Sequence, residues 1–223
     1  MTRPSTRTLY LVACAAPPAR RLGIPVSAAQ AAGWEVCVIL TPSAYRWAAE
    51  DAEGEIEALQ ELTGHPVRWR YKLPSQPDVL PAPDALLVAP LTSNTLAKWA
   101  TAVSDTLVLG LLTEGIGLGL PIIALPHWNA AQHRHPAVAG HVDTLRAAGV
   151  TMLLGDGGFV PHPPATATSM RTRGKRPSPH CPPDRSPRGT NVRITRCWCV
   201  RRRAQRASAR GRPGSRGRLR CAA

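Results

Sequence analysis

The run Pro90-Leu91-Thr92-Ser93-Asn94-Thr95-Leu96-Ala97-Lys98-Trp99-Ala100 follows directly on the apolar segment Ala85–Ala89. A short, continuously apolar run is the form of a strand covered on both faces. This one empties into small hydroxyl and amide residues, which open an amphipathic helix. In an α/β sheet such a junction places free N–H groups and the positive end of a helix dipole at the carboxyl edge of the strands, where an anion is met.

Working outward, the same alternation fills the first 154 residues. Leu9–Ala15, Trp34–Leu40, Val67–Tyr71, Ala85–Ala89, Pro121–Leu125 and Val150–Leu154 read as strands. Helices are expected over Ala19–Ala32 (broken near Pro25 and closed by Gly33), Ala44–Thr63, Thr95–Val108 and Pro136–Ala148. Strand and helix in alternation with short links predict a three-layer, Rossmann-like (flavodoxin-like) α/β fold: a parallel sheet with helices on both faces and right-handed crossovers. Gly115-Ile116-Gly117-Leu118-Gly119 follows a helix and precedes a strand, the wrong order for a dinucleotide fingerprint, so it reads as a connection.

The formal charge of +14 is not spread along the 223 residues. Residues 1–165 hold 11 Lys+Arg and 13 Asp+Glu, a net of −2, whereas residues 166–223 hold 17 Lys+Arg and the single acid Asp184, a net of +16. The division is therefore an α/β domain over 6–163 and an Arg/Pro-rich tail over 164–223. The tail's few large apolar residues have no period, and such a composition cannot offset the entropy of ordering, so disorder is expected. The abrupt change after Pro164 is also what an out-of-frame reading of a GC-rich gene produces. A frameshifted terminus is favoured over an evolved nucleic-acid arm, and nucleic-acid binding is expected only as non-specific contact of the tail.

Leu9–Ala16, behind Arg3 and Arg7, imitates a signal peptide, but it is eight residues long and serves equally as a first strand. No segment approaches the roughly 18 apolar residues of a membrane span. The expected location is the cytoplasm. Cys14 and Cys37 sit in strand-like runs as small hydrophobes. Cys197-x-Cys199 lacks the spacing of a zinc site. His127, His133, His135 and His141 crowd one stretch, yet their spacing favours solvated or pocket-lining rings over a metal site. His127 or His133 could serve as a general base.

Two hydroxyl-bearing turns open helices: Thr92, Ser93, Asn94 and Thr95 after one strand, Thr41-Pro42-Ser43-Ala44 after another. Each taken alone reads as a helix cap worth about 1 kcal/mol. Two at one sheet edge point to an anion pocket. Pro90–Thr95, continuing through Asp105 and Leu107, resembles the Pro-Ala-Ser-Ala-Asn-Thr signature of the flavin-containing cysteine decarboxylase family, which includes phosphopantothenoylcysteine and lantibiotic-peptide decarboxylases. Thr41–Ala44 resembles that family's Thr-x-x-Ala turn. Pro126-His127-Trp128-Asn129, with Pro136, Leu145 and Gly149 behind it, resembles its Pro-x-Met-Asn element.

The resemblance implies FMN held by Thr41, Ser43, Thr92, Ser93, Asn94 and Thr95, a homotrimer or higher assembly, and Asn129 as the anchor of a substrate carboxylate. It also implies flavin-dependent oxidation or decarboxylation of a small carboxylated substrate. The family's base would fall near Gln76, where there is no His; His65 lies too early. Its covering Cys is missing from Gly155-Asp156-Gly157-Gly158-Phe159, and its Gly-Ser phosphate turn is Ala15-Ala16-Pro17-Pro18 here. Prolines remove N–H donors, and the usual route of cysteine decarboxylation is not expected. Two alternatives stand beside the enzyme: a catalytically silent flavin-binding or regulatory subunit, and nucleic-acid binding by the tail.

Overall fold

The computed structural model describes residues 6–51 and 54–164. The tail, with its expected disorder and its cysteines, lies outside the described residues. Five parallel strands, β1 (Arg7–Ala13), β2 (Trp34–Leu40), β3 (Ala85–Leu91), β4 (Ile122–Pro126) and β5 (Thr151–Met152), form a sheet in the order β2-β1-β3-β4-β5. The order in which strands are added reverses between β1 and β3, which is the topological switch point of a flavodoxin-like sheet.

Strand residues alternate between two cores, as the pleat demands. Tyr10, Val12, Cys37, Ile39, Leu86, Val88, Ile122 and Ala124 pack with Leu96 and Trp99 of α4 (Ser93–Ala100), Val108 and Leu112 of α5 (Leu107–Gly117), and Val138, Val142 and Leu145 of α7 (Pro136–Ala147). On the other face α1 (Gly23–Ala31) and α3 (Glu55–Thr63) cover β2. The three expected layers are present.

Several boundaries differ from those read off the sequence. Val67–Tyr71 makes a single bridge, Arg68 to Ile39, at the outer edge of β2. Pro66 has no N–H to extend the ladder, and Trp69 turns away to stack on Tyr45 at 4.6 Å. The first helix is a 3-10 turn, Pro17–Arg21, followed by α1; the break is at Leu22, because Pro25 falls in the first turn of α1, where its missing N–H is not needed. Ala44–Thr63 divides into α2 (Pro42–Asp51) and α3, with Gly54 left-handed before α3.

Thr95–Val108 likewise divides. It forms α4, a turn with Ala102 at φ 58°, and α5, which starts on a new cap where Thr106 accepts from the Leu109 N–H. The glycine run is partly helical: a Cβ on Gly115 would stand 2.4 Å from Leu86 Cδ1, so a larger residue there would have to displace that buried side chain of β3. The last strand shrinks to two residues, and a short α6 (Ala130–His133) appears that periodicity does not reveal.

Candidate functional site

Each strand ends in a turn on the same sheet edge, and backbone hydrogen bonds join these turns side by side. The Thr41 N–H donates to the Ala13 carbonyl at 3.0 Å, Cys14 N–H to Pro90 O at 3.0 Å, His127 N–H to Leu91 O at 2.8 Å, and Leu153 N–H to Ala124 O at 2.9 Å. The turns Cys14–Pro18, Thr41–Ala44, Thr92–Thr95 and Pro126–Asn129 thus form one continuous rim around the β1/β3 switch point.

At β3 the turn is built by capping. Thr92 is the N-cap of α4, its hydroxyl accepting from the Thr95 N–H at 3.4 Å. Thr95 is 4% exposed and points inward: its Oγ1 accepts from Cys14 Sγ at 3.3 Å and from Thr92 Oγ1 at 3.2 Å. Ser93 is half-buried and Asn94 exposed. Among the described residues neither side chain has a hydrogen-bond partner, and both stand at the rim. At β2, Thr41 accepts from the Ala44 N–H at 3.3 Å and Ser43 is exposed. Cys14 is the floor between the β1 and β3 turns. Burial raises its thiol pKa, against the pull of hydrogen bonds with Thr95 and Thr92, so it stays a neutral S–H donor and no nucleophile.

The β1 turn is poorer in donors. Pro17 and Pro18 carry no N–H, and Ala16 caps the 3-10 helix without a side-chain bond. Behind it, a small apolar cavity lies between that helix and α2, lined by Ala19, Leu22, Ala44 and Ala48. Arg20 and Glu55 are its polar members; Arg20 pairs with Asp51, and burial raises the Glu55 carboxyl pKa.

At β4, Asn129 is the N-cap of α6 in a reciprocal capping box. Its Oδ1 accepts from the Gln132 N–H at 2.9 Å, while Gln132 Oε1 accepts from the Asn129 N–H at 3.0 Å. The segment after β5 folds back on this turn. The Ala130 N–H donates to His162 O at 2.7 Å, and Phe159 stands 5.3 Å from the His127 ring and 6.4 Å from Trp128. His162 lies 5.4 Å from His127. Gly158 permits the fold-back, since a Cβ there would meet the Leu153 carbonyl carbon at 2.5 Å. Phe159 and His162 were beyond sequence reasoning, having no period or motif; the run Gly155–Gly158 was their only signal.

Other candidates stand elsewhere. His65 bonds Glu35 at 2.8 Å, near the amino end of β2 and so at the opposite edge of the sheet. Gln76 closes an exposed turn onto Leu73. Among the described residues no group of three or more His, Cys, Asp or Glu could hold a metal ion, and no helix is long and apolar enough to cross a membrane.

This edge can be set beside known proteins. The chain is 39% identical over 66 residues to phosphopantothenoylcysteine decarboxylase of Mus musculus, covering 30% of this chain and 32% of that protein. It is 31% identical over 70 residues to the bifunctional coenzyme A biosynthesis protein CoaBC of Thermococcus kodakarensis, covering 31% of this chain and 17% of that one. The chain thus spans no more than about a third of these curated relatives. Among solved structures, the FMN-dependent cysteine decarboxylase TvaF from thioviridamide biosynthesis superposes with a TM-score of 0.52 at 26% identity, over 69% of this chain and 91% of that one. The match to a family as a whole is broader: residues 26–178 fit the description Flavoprotein, past the compositional break at Pro164. With β2 through the β5 fold-back inside that span, the chain belongs to the Flavoprotein family.

Proposed function

We propose that this protein binds FMN along the rim around the β1/β3 switch point and uses it in the oxidation or decarboxylation of a small carboxylated substrate. One observation carries the reading: the Thr41–Ala44 and Thr92–Thr95 turns flank the end of β1, each tied to it by a backbone hydrogen bond, beside the crevice where open α/β sheets take their ligands. Ser43, Ser93 and Asn94 offer hydroxyl and amide groups with no partner among the described residues, a donor set that fits a phosphate and the polar edge of a flavin. Thr41, Thr92 and Thr95 shape those turns from beneath. Family membership and the FMN-dependent structural neighbour support the same cofactor.

Bound flavin would supply a two-electron acceptor. Asn129 would hold the substrate carboxylate through its amide N–H groups, its Oδ1 being engaged by Gln132. His127, against Phe159 and His162, is the imidazole placed to move a proton. The folded domain is 6–163, assembled as a homotrimer or larger in the cytoplasm, a state that native mass measurement and cell fractionation test.

The functional test is the visible spectrum of the purified full chain before and after FMN is supplied. Flavin bands that stay with the protein through gel filtration support the reading; a folded protein that passes FMN through colourless overturns it. A second reading, a catalytically silent flavin-binding or regulatory subunit, is favoured by the neutral, buried Cys14 and by a Gly155–Phe159 loop without Cys. Bound flavin that no carboxylated thiol reduces, without oxygen, would select it.

A further inference from the structure

The side chains of the α6 turn share one chemical property. Asn129 Oδ1 accepts from the Gln132 N–H, Gln132 Oε1 from the Asn129 N–H, and His133 Nδ1 from the Trp128 indole Nε1–H at 3.3 Å. Every one of these donors is an N–H that can only donate, so the acceptor assignments are fixed by chemistry and involve no choice of amide flip. Each side chain therefore has its acceptor turned inward, and what remains outward is N–H. For the imidazole the consequence is strict: a neutral ring that accepts at Nδ1 carries its proton on Nε2.

Trp128 is 2% exposed and lies nearly parallel to the His133 ring, at 16° and 6.5 Å between centroids, so the pair is held by packing as well as by its bond. Asn129, the N-cap of α6, and His133, its last residue, are joined through the backbone, the His133 N–H donating to the Asn129 carbonyl at 2.9 Å. An amide N–H₂ and an imidazole N–H offered by one turn complement a group that has two acceptor oxygens and no proton.

We infer that His133 is a second N–H donor to the substrate carboxylate beside Asn129, and that Trp128 is the positioning residue that holds it in the Nε2–H form. This rests on the functional reading above for the identity of the anion as a substrate. It also removes His133 from the role of proton acceptor at Nε2 while its bond to Trp128 lasts.

The test uses the histidine-¹⁵N-labelled full chain and two thiol probes of nearly equal shape, 3-mercaptopropionate and 3-mercaptopropanamide. Two-bond ¹H–¹⁵N spectra, with the His133 signals identified by their absence in His133→Gln, are expected to show the Nε2–H pattern. The carboxylate should shift those signals and the amide should not. His133→Asn is expected to weaken 3-mercaptopropionate binding about tenfold, one charge-assisted hydrogen bond. His133→Gln, whose amide nitrogen reaches the place of Nε2, should stay within about threefold of the parent. Both variants change an exposed residue and leave the core alone. Trp128→Phe should let the Nδ1–H form appear.

An Nδ1–H pattern in the parent protein, or equal binding by the Asn and Gln variants, overturns the inference. The two readings fail separately. FMN retained with no effect of His133→Asn sinks this inference alone. Carboxylate preferred over amide by a chain that takes up no FMN sinks the functional reading alone.

Discussion

The turns after β1 and β3 lie on either side of the same switch point and are joined by the Cys14 N–H to Pro90 O and Cys14 Sγ to Thr95 Oγ1 bonds. One is rich in donors: Thr92 caps, Ser93 and Asn94 face outward, and α4 begins at once. The other carries Pro17 and Pro18, an alanine cap without a side-chain bond, and a 3-10 turn in place of an immediate helix. The sheet sets where a ligand would lie, through strand order and backbone bonding that ignore the turn residues. The turn residues set what chemistry that place offers. Position and chemistry are separable here, and each side of the comparison can be broken on its own.

The largest effect is expected from alkaline pH, because the floor between the turns and the strands beside it hold neutral acids. Burial raises the Cys14 thiol pKa, and burial raises Cys37 and Tyr10 to about 12. Folded pKa values above the unfolded ones mean that the unfolded chain releases its protons first. Stability is then complete below about pH 9 and falls as pH climbs toward 12, by up to about 1.4 kcal/mol per pH unit for each ionising group. Urea midpoints measured from pH 8 to 11 check this, and Cys14→Ala should flatten the decline by its own share.

Next comes Thr95→Val, which keeps the shape and deletes the acceptor for Cys14 and Thr92. We expect a loss of about 1–3 kcal/mol in urea denaturation, the cost of stranding buried polar groups. A loss below a few tenths would mean that the two turns are held by backbone bonding alone. Pro17→Gly combined with Pro18→Ser attacks the other side. FMN affinity, read by flavin fluorescence, should tighten about tenfold while riboflavin affinity stays level, since only the phosphate gains the N–H donors. Equal gains for both ligands would place the phosphate elsewhere. The smallest change is Thr92→Ala, a lost cap worth about 1 kcal/mol in thermal or chemical melts.

Much of this was legible in the chain. The buried strands announced themselves as apolar runs, and the hydroxyl turns as caps. Asn129 was found by its place after Pro126-His127-Trp128, though not the capping box that engages its oxygen. The α5 helix was hidden because Leu107–Gly117 is apolar nearly all round, leaving no amphipathic period to detect. Val67–Tyr71 looked like a strand by composition, yet one edge neighbour and Pro66 limit it to a single bridge. His65 lay among possible bases until the sheet placed it at the opposite edge, on Glu35.

The sequence by itself determined the alternation of strand and helix, the parallel three-layer class, and the hydroxyl turns at strand ends. These follow from local periodicity and from capping chemistry within three or four residues. The tertiary structure alone decided which of those polar atoms face inward and which stay at the rim. Thr95 is taken by Cys14, 81 residues away, while Ser43 and Asn94 stay at the rim. His133 was legible as a histidine, but the Trp128 indole N–H that its Nδ1 accepts from is a contact seen only in the fold. The reason is physical. A pattern of apolar residues encodes which face is buried, whereas the partner of a polar atom depends on the three-dimensional neighbour that folding brings to it.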